Sequence, residues 1–143
     1  MKTLNPKQIE NKDRKWYLVD ADGQNLWRLA TKLAVILRWK DRVDFAPHVD
    51  NWSYIVVTNC EKIAVTWNKE EDKLYRTHSQ FMGWLKEVSV KTMREKNPSE
   101  IIKLAVKWML PKTRHRENML ARLKLCVWAE HTYEAQKPET ITL

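Results

Sequence analysis

The segment Tyr54–Thr58 limits the possible folds of this chain more than any other stretch of its sequence. It is a continuous run of aromatic and β-branched residues without polar alternation, which is typical of a strand buried on both faces. A second buried strand is predicted at Trp16–Asp20, which leads into a turn sequence containing Gly23. Because a doubly buried sheet needs helices to cover it, these strands indicate an α/β fold.

Helical periodicity follows the first predicted strand. Within residues 26–40, leucine and alanine recur at steps of three and four, and Asn25 precedes them as a candidate N-cap. A second long helix is predicted to begin at Asn97-Pro98, where asparagine can cap and proline can take the first helical position. Pro111 ends it. Shorter helices are predicted at 89–96 and 117–123.

The remaining segments have weaker patterns. Residues 63–66 predict a short strand, and the apolar run 125–128 predicts another. Residues 68–80 are mainly charged, which indicates either a long loop or a solvated hairpin. The order of elements predicts a three-layer α/β/α single domain with a mixed, mostly parallel central sheet.

The length of 143 residues suits one domain. Residues 1–14 are polar and predict an N-terminal extension, and residues 15–129 hold the α/β domain. Residues 130–143 form an acid-leaning tail, which we expect either to meet a neighbouring protein or to remain free.

Several kinds of chemistry lack the residues that they need. Gly23 and Gly83 stand apart, so there is no glycine-rich loop for a nucleotide phosphate. The histidines are scattered without metal-ligand spacing, and His48 with Asp50 has no accompanying nucleophile. We therefore expect no metal, no cofactor, no small-molecule substrate and no catalytic site.

The sequence also argues against a membrane or secreted protein. The longest aliphatic run, residues 33–37, is far too short to cross a bilayer. Residues 1–14 carry both charge signs and lack the apolar stretch of a signal peptide. Cys60 and Cys126 lie far apart in apolar strings and are predicted to be reduced core residues.

The net charge of +8 predicts a polyanionic partner. Lysine and arginine neutralise phosphates, and Tyr75, His78 and Trp108 offer flat faces on which bases could stack. The basic candidates for nucleic-acid contacts are Lys40, Arg42, Lys69, Lys73, Arg76, His78, Lys107, Lys112, Arg114, His115, Arg116, Arg122 and Lys124. The alternative, that these are ordinary solvated charges, stays open at this point.

Several strings follow one another in an order typical of a known family. They include WYLVDA at 16–21, APHVD at 46–50, AVK at 105–107 with MLPK at 109–112, and AEH at 129–131. On these motifs the chain resembles the bacterial-type large-subunit ribosomal protein thirteen family over nearly its whole length. The residues of these strings are most similar to those of the cyanobacterial and plastid branch.

The resemblance implies a protein of the large ribosomal subunit that contacts large-subunit rRNA and neighbouring ribosomal proteins. It implies an early role in subunit assembly, no enzymatic activity, and a location on ribosomes of the bacterial cytoplasm or plastid stroma. The family's RNA-facing stretches fall at 47–48, 68–78 and 107–116, which adds His48 to the candidates. The alternative is an extra-ribosomal RNA-binding translational regulator that uses the same cations.

The chain departs from the family at its glycines: it has 2 glycines and 8 tryptophans. Tryptophan stands at family glycine positions in Trp27, Trp39, Trp52, Trp67, Trp84, Trp108 and Trp128. Tryptophan resists the positive φ angles that glycine adopts, and its indole needs space. Two explanations stay open: a lineage with coding peculiarities and compensating changes, or a sequence that misreports these positions.

Overall fold

A computed structural model describes residues 6–10, 13–43 and 45–142. The strands are β1 (Trp16–Asp20), β2 (Tyr54–Thr58), β3 (Leu74–His78), β4 (Leu85–Ser89), β5 (Leu123–Leu125) and β6 (Glu139–Thr140). Four of them form a sheet in the order β5–β2–β1–β6, and every pairing within it is parallel. Helices flank this sheet, which confirms the α/β fold with a mostly parallel central sheet.

Strand β2 lies inside the sheet between β1 and β5. Ile55, Val56 and Val57 are completely buried, so the predicted burial of this strand on both faces is confirmed. Strand β1 pairs with it from Trp16 opposite Tyr54 onward, and the two rings stack with their centroids 4.3 Å apart.

Two long helices supply most of the remaining core. The helices are α1 (Leu26–Leu37), α2 (Lys69–Asp72), α3 (Val90–Lys96), α4 (Pro98–Met109) and α5 (Arg116–Ala121). Leu29 and Leu33 of α1 join Ile101 and Ile102 of α4 in one buried apolar cluster, and the two helices pack against each other. The predicted cap of α1 is confirmed, because the Asn25 side chain accepts a hydrogen bond from the N–H of Trp27 at 3.1 Å.

The predicted strand at 63–66 is wrong. Only Ala64 forms a β-bridge there, with Asn25. Its N–H donates to the carbonyl of Gln24 and its own carbonyl accepts from Leu26, where α1 already begins. Because the neighbouring chain turns into a helix at this point, no longer ladder can form.

Of the two alternatives predicted for residues 68–80, the solvated hairpin is correct only in part. This range holds helix α2 and the first strand of a hairpin, β3, whereas the second strand, β4, lies beyond it. Strand β3 pairs with β4 in antiparallel register, from Leu74 opposite Ser89 to His78 opposite Leu85. The short helix α2 precedes the hairpin, and the two strands form a separate sheet.

Both ends of the described chain are held to the domain. Asn51 accepts from the N–H of Ile9 at 2.7 Å and donates to the carbonyl of Lys7 at 2.9 Å. At the other end β6 pairs with β1, and the N–H of Ile141 donates to the carbonyl of Leu18 at 2.9 Å. Part of the predicted tail therefore extends the central sheet.

Among the residues that the structure describes, none of the helices combines the length and apolar character needed to cross a bilayer. Cys60 is buried and Cys126 is half-buried, and both are free thiols. Burial, with a smaller contribution from nearby Cys126, raises the pKa of Cys60 to about 12. This thiol therefore stays protonated and unreactive at neutral pH.

Helix α1 ends in a hydrogen-bond pattern that normally places glycine in the left-handed conformation. The N–H of Trp39 donates to Ile36 and the N–H of Lys40 donates to Val35, which is a Schellman motif with Trp39 at its left-handed position. Trp39 has a φ of 61° there, and its ring is buried. The helix consequently ends at Leu37, before the predicted residue 40.

Trp67 also has a φ of 61°, and 90% of its surface is exposed. We expect Trp67→Gly to raise the free energy of unfolding by about 0.5–1 kcal/mol. Glycine removes the clash of Cβ in the left-handed region, and the exposed indole loses little packing. Part of the gain is offset because glycine is freer in the unfolded chain.

Urea denaturation measures this change, and Trp108→Gly is the matched control. Trp108 is also exposed but lies near the end of α4, where glycine is a poor helix former. That control is expected to lose about 0.5 kcal/mol. A loss of stability in both variants would show that the left-handed conformation is not the source of strain.

Candidate nucleic-acid interface

The densest group of predicted cations lies at residues 112–116, between α4 and α5, and we call this segment the basic turn. The N–H of Thr113 donates to the carbonyl of Pro111 at 2.8 Å, and the N–H of Arg116 donates to Thr113 at 3.0 Å. This tight turn leaves Lys112 and Arg114 exposed. Neither forms an ion pair with an acidic residue that the structure describes, so both offer their full charge to solvent.

His115 and Arg116 follow in the same segment but point partly into the protein. The His115 ring packs edge-on against Trp52, with the centroids 5.3 Å apart. The Arg116 Nε lies 3.8 Å from a Glu117 carboxylate oxygen, and its side chain is about three-quarters buried. The contact with Trp52 holds His115 at the start of α5, while Lys112 and Arg114 are exposed.

Arg122 occupies a different environment from the exposed cations of the turn. It is buried, and its Nη2 donates to Asp50 Oδ2 at 2.7 Å. Its guanidinium also lies 5.2 Å from the ring centroid of Trp52. The group is committed to contacts within the protein, so its assignment as an RNA contact stays a prediction.

Asp50 joins two buried guanidinium groups. Its other carboxylate oxygen accepts from Arg14 Nη1 at 2.9 Å, and Arg14 also donates to the backbone carbonyls of Trp52 and Asp50. We call Arg14, Asp50 and Arg122 the Asp50 cluster. Burial by itself raises the pKa of Asp50, but the hydrogen bonds from Arg122 and Arg14 outweigh it and hold this pKa below 3.8.

The Asp50 cluster connects three segments that are distant in sequence. Arg14 lies two residues before the start of β1, Asp50 lies in the loop before β2, and Arg122 follows α5. The Asp50 cluster therefore holds two segments in place: the loop that carries exposed His48, and the C-terminal end of α5. Arg14 was not among the candidates, because nothing in its local sequence reveals its partner.

The second predicted group lies on α2 and β3. Lys69 is exposed at the start of α2, whereas Lys73 Nζ lies 3.9 Å from the Trp27 ring centroid and 5.3 Å from that of Tyr75. Burial, helped by the charge of Lys69, lowers the pKa of Lys73. Cation–π contact therefore holds this ammonium group beside two aromatic faces.

Arg76 and His78 lie further along β3. The Arg76 Nε donates to Glu87 across the hairpin at 2.6 Å, so its charge is partly neutralised. The His78 Nδ1 accepts from the N–H of Gln80 at 3.0 Å. The structure places both on the exposed hairpin, as the solvated-hairpin alternative predicts.

The remaining predicted cations are spread over other elements. Lys40 is exposed just after α1, and the Arg42 guanidinium lies 4.9 Å from the ring centroid of Trp39. Lys107 lies half-buried in the last turn of α4, in a groove that α5 and β5 also line. Lys124 is half-buried on β5. The structure brings Lys107 close to the elements that flank the basic turn.

Arg94 is a further positioning residue that charge patterns did not reveal. It donates to the backbone carbonyls of Glu61 and Ile63, the latter at 3.0 Å, and to the carboxylate of Glu70 at 2.8 Å. These contacts fix α2, and with it Lys69 and Lys73, relative to α3.

We expect Arg94→Met to lower the free energy of unfolding by about 2 kcal/mol, because two backbone carbonyls lose a charged donor. Guanidinium denaturation checks this value. Arg76→Met is the matched control: its pair with Glu87 is largely exposed and should contribute less than about 1 kcal/mol. Equal losses in the two variants would contradict a special role for Arg94.

The profile of the family described as Ribosomal protein L13 matches residues 14–132. The chain belongs to the ribosomal protein L13 family. This confirms the resemblance drawn from the sequence motifs.

Bacterial members of the L13 family match the chain over almost its full length. The protein of Clostridioides difficile is 48% identical over 128 residues, covering 90% of each chain. That of Lawsonia intracellularis is 48% identical over 143 residues, covering 100% of this chain and 99% of the relative. That of Thermotoga maritima is 46% identical over 140 residues, covering 98% and 92%. All three are named large ribosomal subunit protein uL13.

Within the described ranges, no three His, Cys, Asp or Glu side chains come close enough to hold a metal ion. The predicted contacts of the candidate interface are cations, several of which lie beside aromatic rings. Such groups can bind phosphates and stack on bases.

Proposed function

We propose that this chain is a structural constituent of the large ribosomal subunit and that it binds large-subunit rRNA. The supporting observation is its match, over nearly the full length of both chains, to proteins named as large ribosomal subunit proteins. The net charge of +8 and the free cations of the basic turn agree with an RNA partner.

The basic turn supports a mechanism based on phosphate contacts. Lys112 and Arg114 project from a hydrogen-bonded turn, and Arg116 lies at its inner edge. Because the backbone is already fixed, these side chains can meet phosphate oxygens without ordering a flexible loop first. Each phosphate contact releases counterions, so affinity falls as the salt concentration rises.

The other predicted contacts would widen the same interface. The exposed His48 loop is held by the Asp50 cluster, and Lys69 and Lys73 are held by Arg94. Contacts of this kind read the shape of folded RNA and position the protein rather than reading base sequence. The role we propose is structural, with no reaction catalysed.

We further propose an early role in subunit assembly and contacts with neighbouring large-subunit proteins. A domain that binds several phosphates at once can stabilise one local RNA fold before later proteins bind. The location would be the ribosome, in a bacterial cytoplasm or a plastid stroma.

Sedimentation tests the proposal directly. The tagged chain, expressed in its own or a related bacterium, should travel with large subunits in moderate salt. In stepwise reconstitution it should bind large-subunit rRNA before most other proteins do. If it stays in the free soluble fraction, the proposal fails. Tight binding to one isolated messenger RNA, without association with subunits, would instead favour a translational regulator.

A further inference from the structure

The tip of the β3–β4 hairpin exposes a group of apolar side chains. Phe81, Met82, Trp84 and Leu85 are exposed by 69%, 96%, 60% and 55%. All four side chains belong to the five consecutive residues 81–85. An exposed apolar group of this kind usually marks a binding surface. We call residues 79–85 the hairpin tip.

The hairpin tip has a defined backbone. The N–H of Trp84 donates to the carbonyl of Phe81 at 3.3 Å, and Gly83 has the positive φ of 78° that this tight turn uses. Gln80 also has a positive φ, of 66°, and its N–H is held by His78. Met82 therefore stands at the apex of an ordered turn with Phe81 beside it.

Little of the rest of the protein supports this hairpin. Residues 76–87 are all exposed, and the hairpin meets the protein body chiefly through its base. A two-stranded hairpin is at best marginally stable by itself in water. Burial of the tip in a partner would supply the apolar contacts that the domain does not provide.

The charges around the hairpin tip favour RNA as that partner. From residue 73 to residue 86 the chain carries Lys73, Arg76, His78 and Lys86 and no acidic residue. The nearest carboxylate after this stretch is that of Glu87, which is paired with Arg76. The nearest acids before it, Glu70, Glu71 and Asp72, lie on α2 and not on the hairpin. Cations along a hairpin match the phosphates on either side of an RNA cleft, and an apolar tip matches the faces of unstacked bases.

We propose that the hairpin tip inserts into folded rRNA, where Phe81 stacks on an unpaired base and Met82 wedges beside it. His78 and Lys86 then lie beside the adjoining phosphates. This inference rests on the proposed rRNA-binding function and adds apolar contacts with bases to the phosphate contacts of the basic turn. Stacking of this kind tolerates any base, because every base has a flat face.

Photo-cross-linking identifies the partner of the tip. Phe81 is replaced by the photoreactive analogue p-benzoylphenylalanine, and the protein is assembled into large subunits before irradiation. We expect a cross-link to rRNA at an unpaired nucleotide. A cross-link to a ribosomal protein, or none in subunits that contain the chain, would overturn the proposal.

Affinity measurements separate this inference from the proposed function. Phe81→Ala with Met82→Ala should weaken binding to large-subunit rRNA by roughly tenfold, through loss of stacking. The slope of affinity against salt concentration should not change, because no charge is removed. Val35→Ala, an exposed apolar truncation on α1, is the control and should bind like the wild type.

The possible outcomes are distinct. If the wild type binds rRNA and the double variant binds equally well, the tip proposal fails while the proposed function stands. If the wild type itself does not bind rRNA, the proposed function fails. Because both residues are exposed, unchanged urea denaturation of the double variant should show that the fold is intact.

Discussion

Asp50→Ala is expected to lower the free energy of unfolding by about 3–5 kcal/mol, the largest stability effect that we expect for a single substitution. The Asp50 carboxylate accepts from Arg14 at 2.9 Å and from Arg122 at 2.7 Å. Both guanidinium groups are buried, so removing the carboxylate leaves two positive charges close together without a counter-ion. Urea denaturation at pH 7 measures the loss.

The control is Asp22→Ala, which removes an acidic residue with an exposed partner. Asp22 lies 3.9 Å from Lys62, and both side chains are about half exposed. Such pairs contribute little, so this variant should lose less than about 1 kcal/mol. A loss as small as this in Asp50→Ala would show that the buried arginines find other partners or water.

The pH dependence gives a second measure of the same cluster. The folded protein holds the pKa of Asp50 below its ordinary value of 3.8. The ionised carboxylate therefore stabilises the fold fully when the pH is well above 3.8. Its contribution is lost as the pH falls through the lower folded-state pKa. We expect the wild type to lose more stability than Asp50→Ala does as the pH falls below about 4.

The parts of the fold that sequence patterns predicted well are those with local periodicity. The apolar run of β2 and the three-and-four spacing of α1 each report burial within a few neighbouring residues. The solvated β3–β4 hairpin has little such periodicity, so its sequence could not decide between a loop and paired strands. Its register depends on cross-strand partners rather than on a buried face.

The end of helix α1 was harder to predict, because the glycine that normally marks a helix end is missing from the sequence there. A glycine after α1 would have signalled the end of that helix, but Trp39 occupies the left-handed position. The helical pattern therefore ran on to residue 40. Trp39 and Trp67 are the two of the seven tryptophans whose backbone is the one that glycine adopts most easily.

The candidate site shows a different limit of sequence analysis. Charge identifies which residues can bind phosphate, but not where their side chains point. Lys112 and Arg122 are both basic residues of the same cation-rich segment. The structure nevertheless exposes Lys112 and buries Arg122 against Asp50. Arg14 binds Asp50 across 36 residues of sequence, so no local pattern could predict that contact.

Replacing Lys112, Arg114 and Arg116 together by alanine should weaken binding to large-subunit rRNA by roughly 10- to 100-fold at physiological salt. Each phosphate contact contributes about 0.7–0.9 to the slope of log affinity against log salt concentration. The variant should therefore show a slope smaller by about two to three. Filter binding over a series of salt concentrations measures both quantities.

A matched variant distinguishes a local interface from a general effect of charge. Lys32, Lys91 and Lys96 are exposed cations outside the candidate set, and their joint replacement by alanine removes the same net charge. It should leave the slope nearly unchanged, because long-range attraction alone is screened within about 10 Å at moderate salt. If both triple variants flatten the slope equally, the basic turn makes no specific phosphate contacts and the protein's charge acts only as a whole.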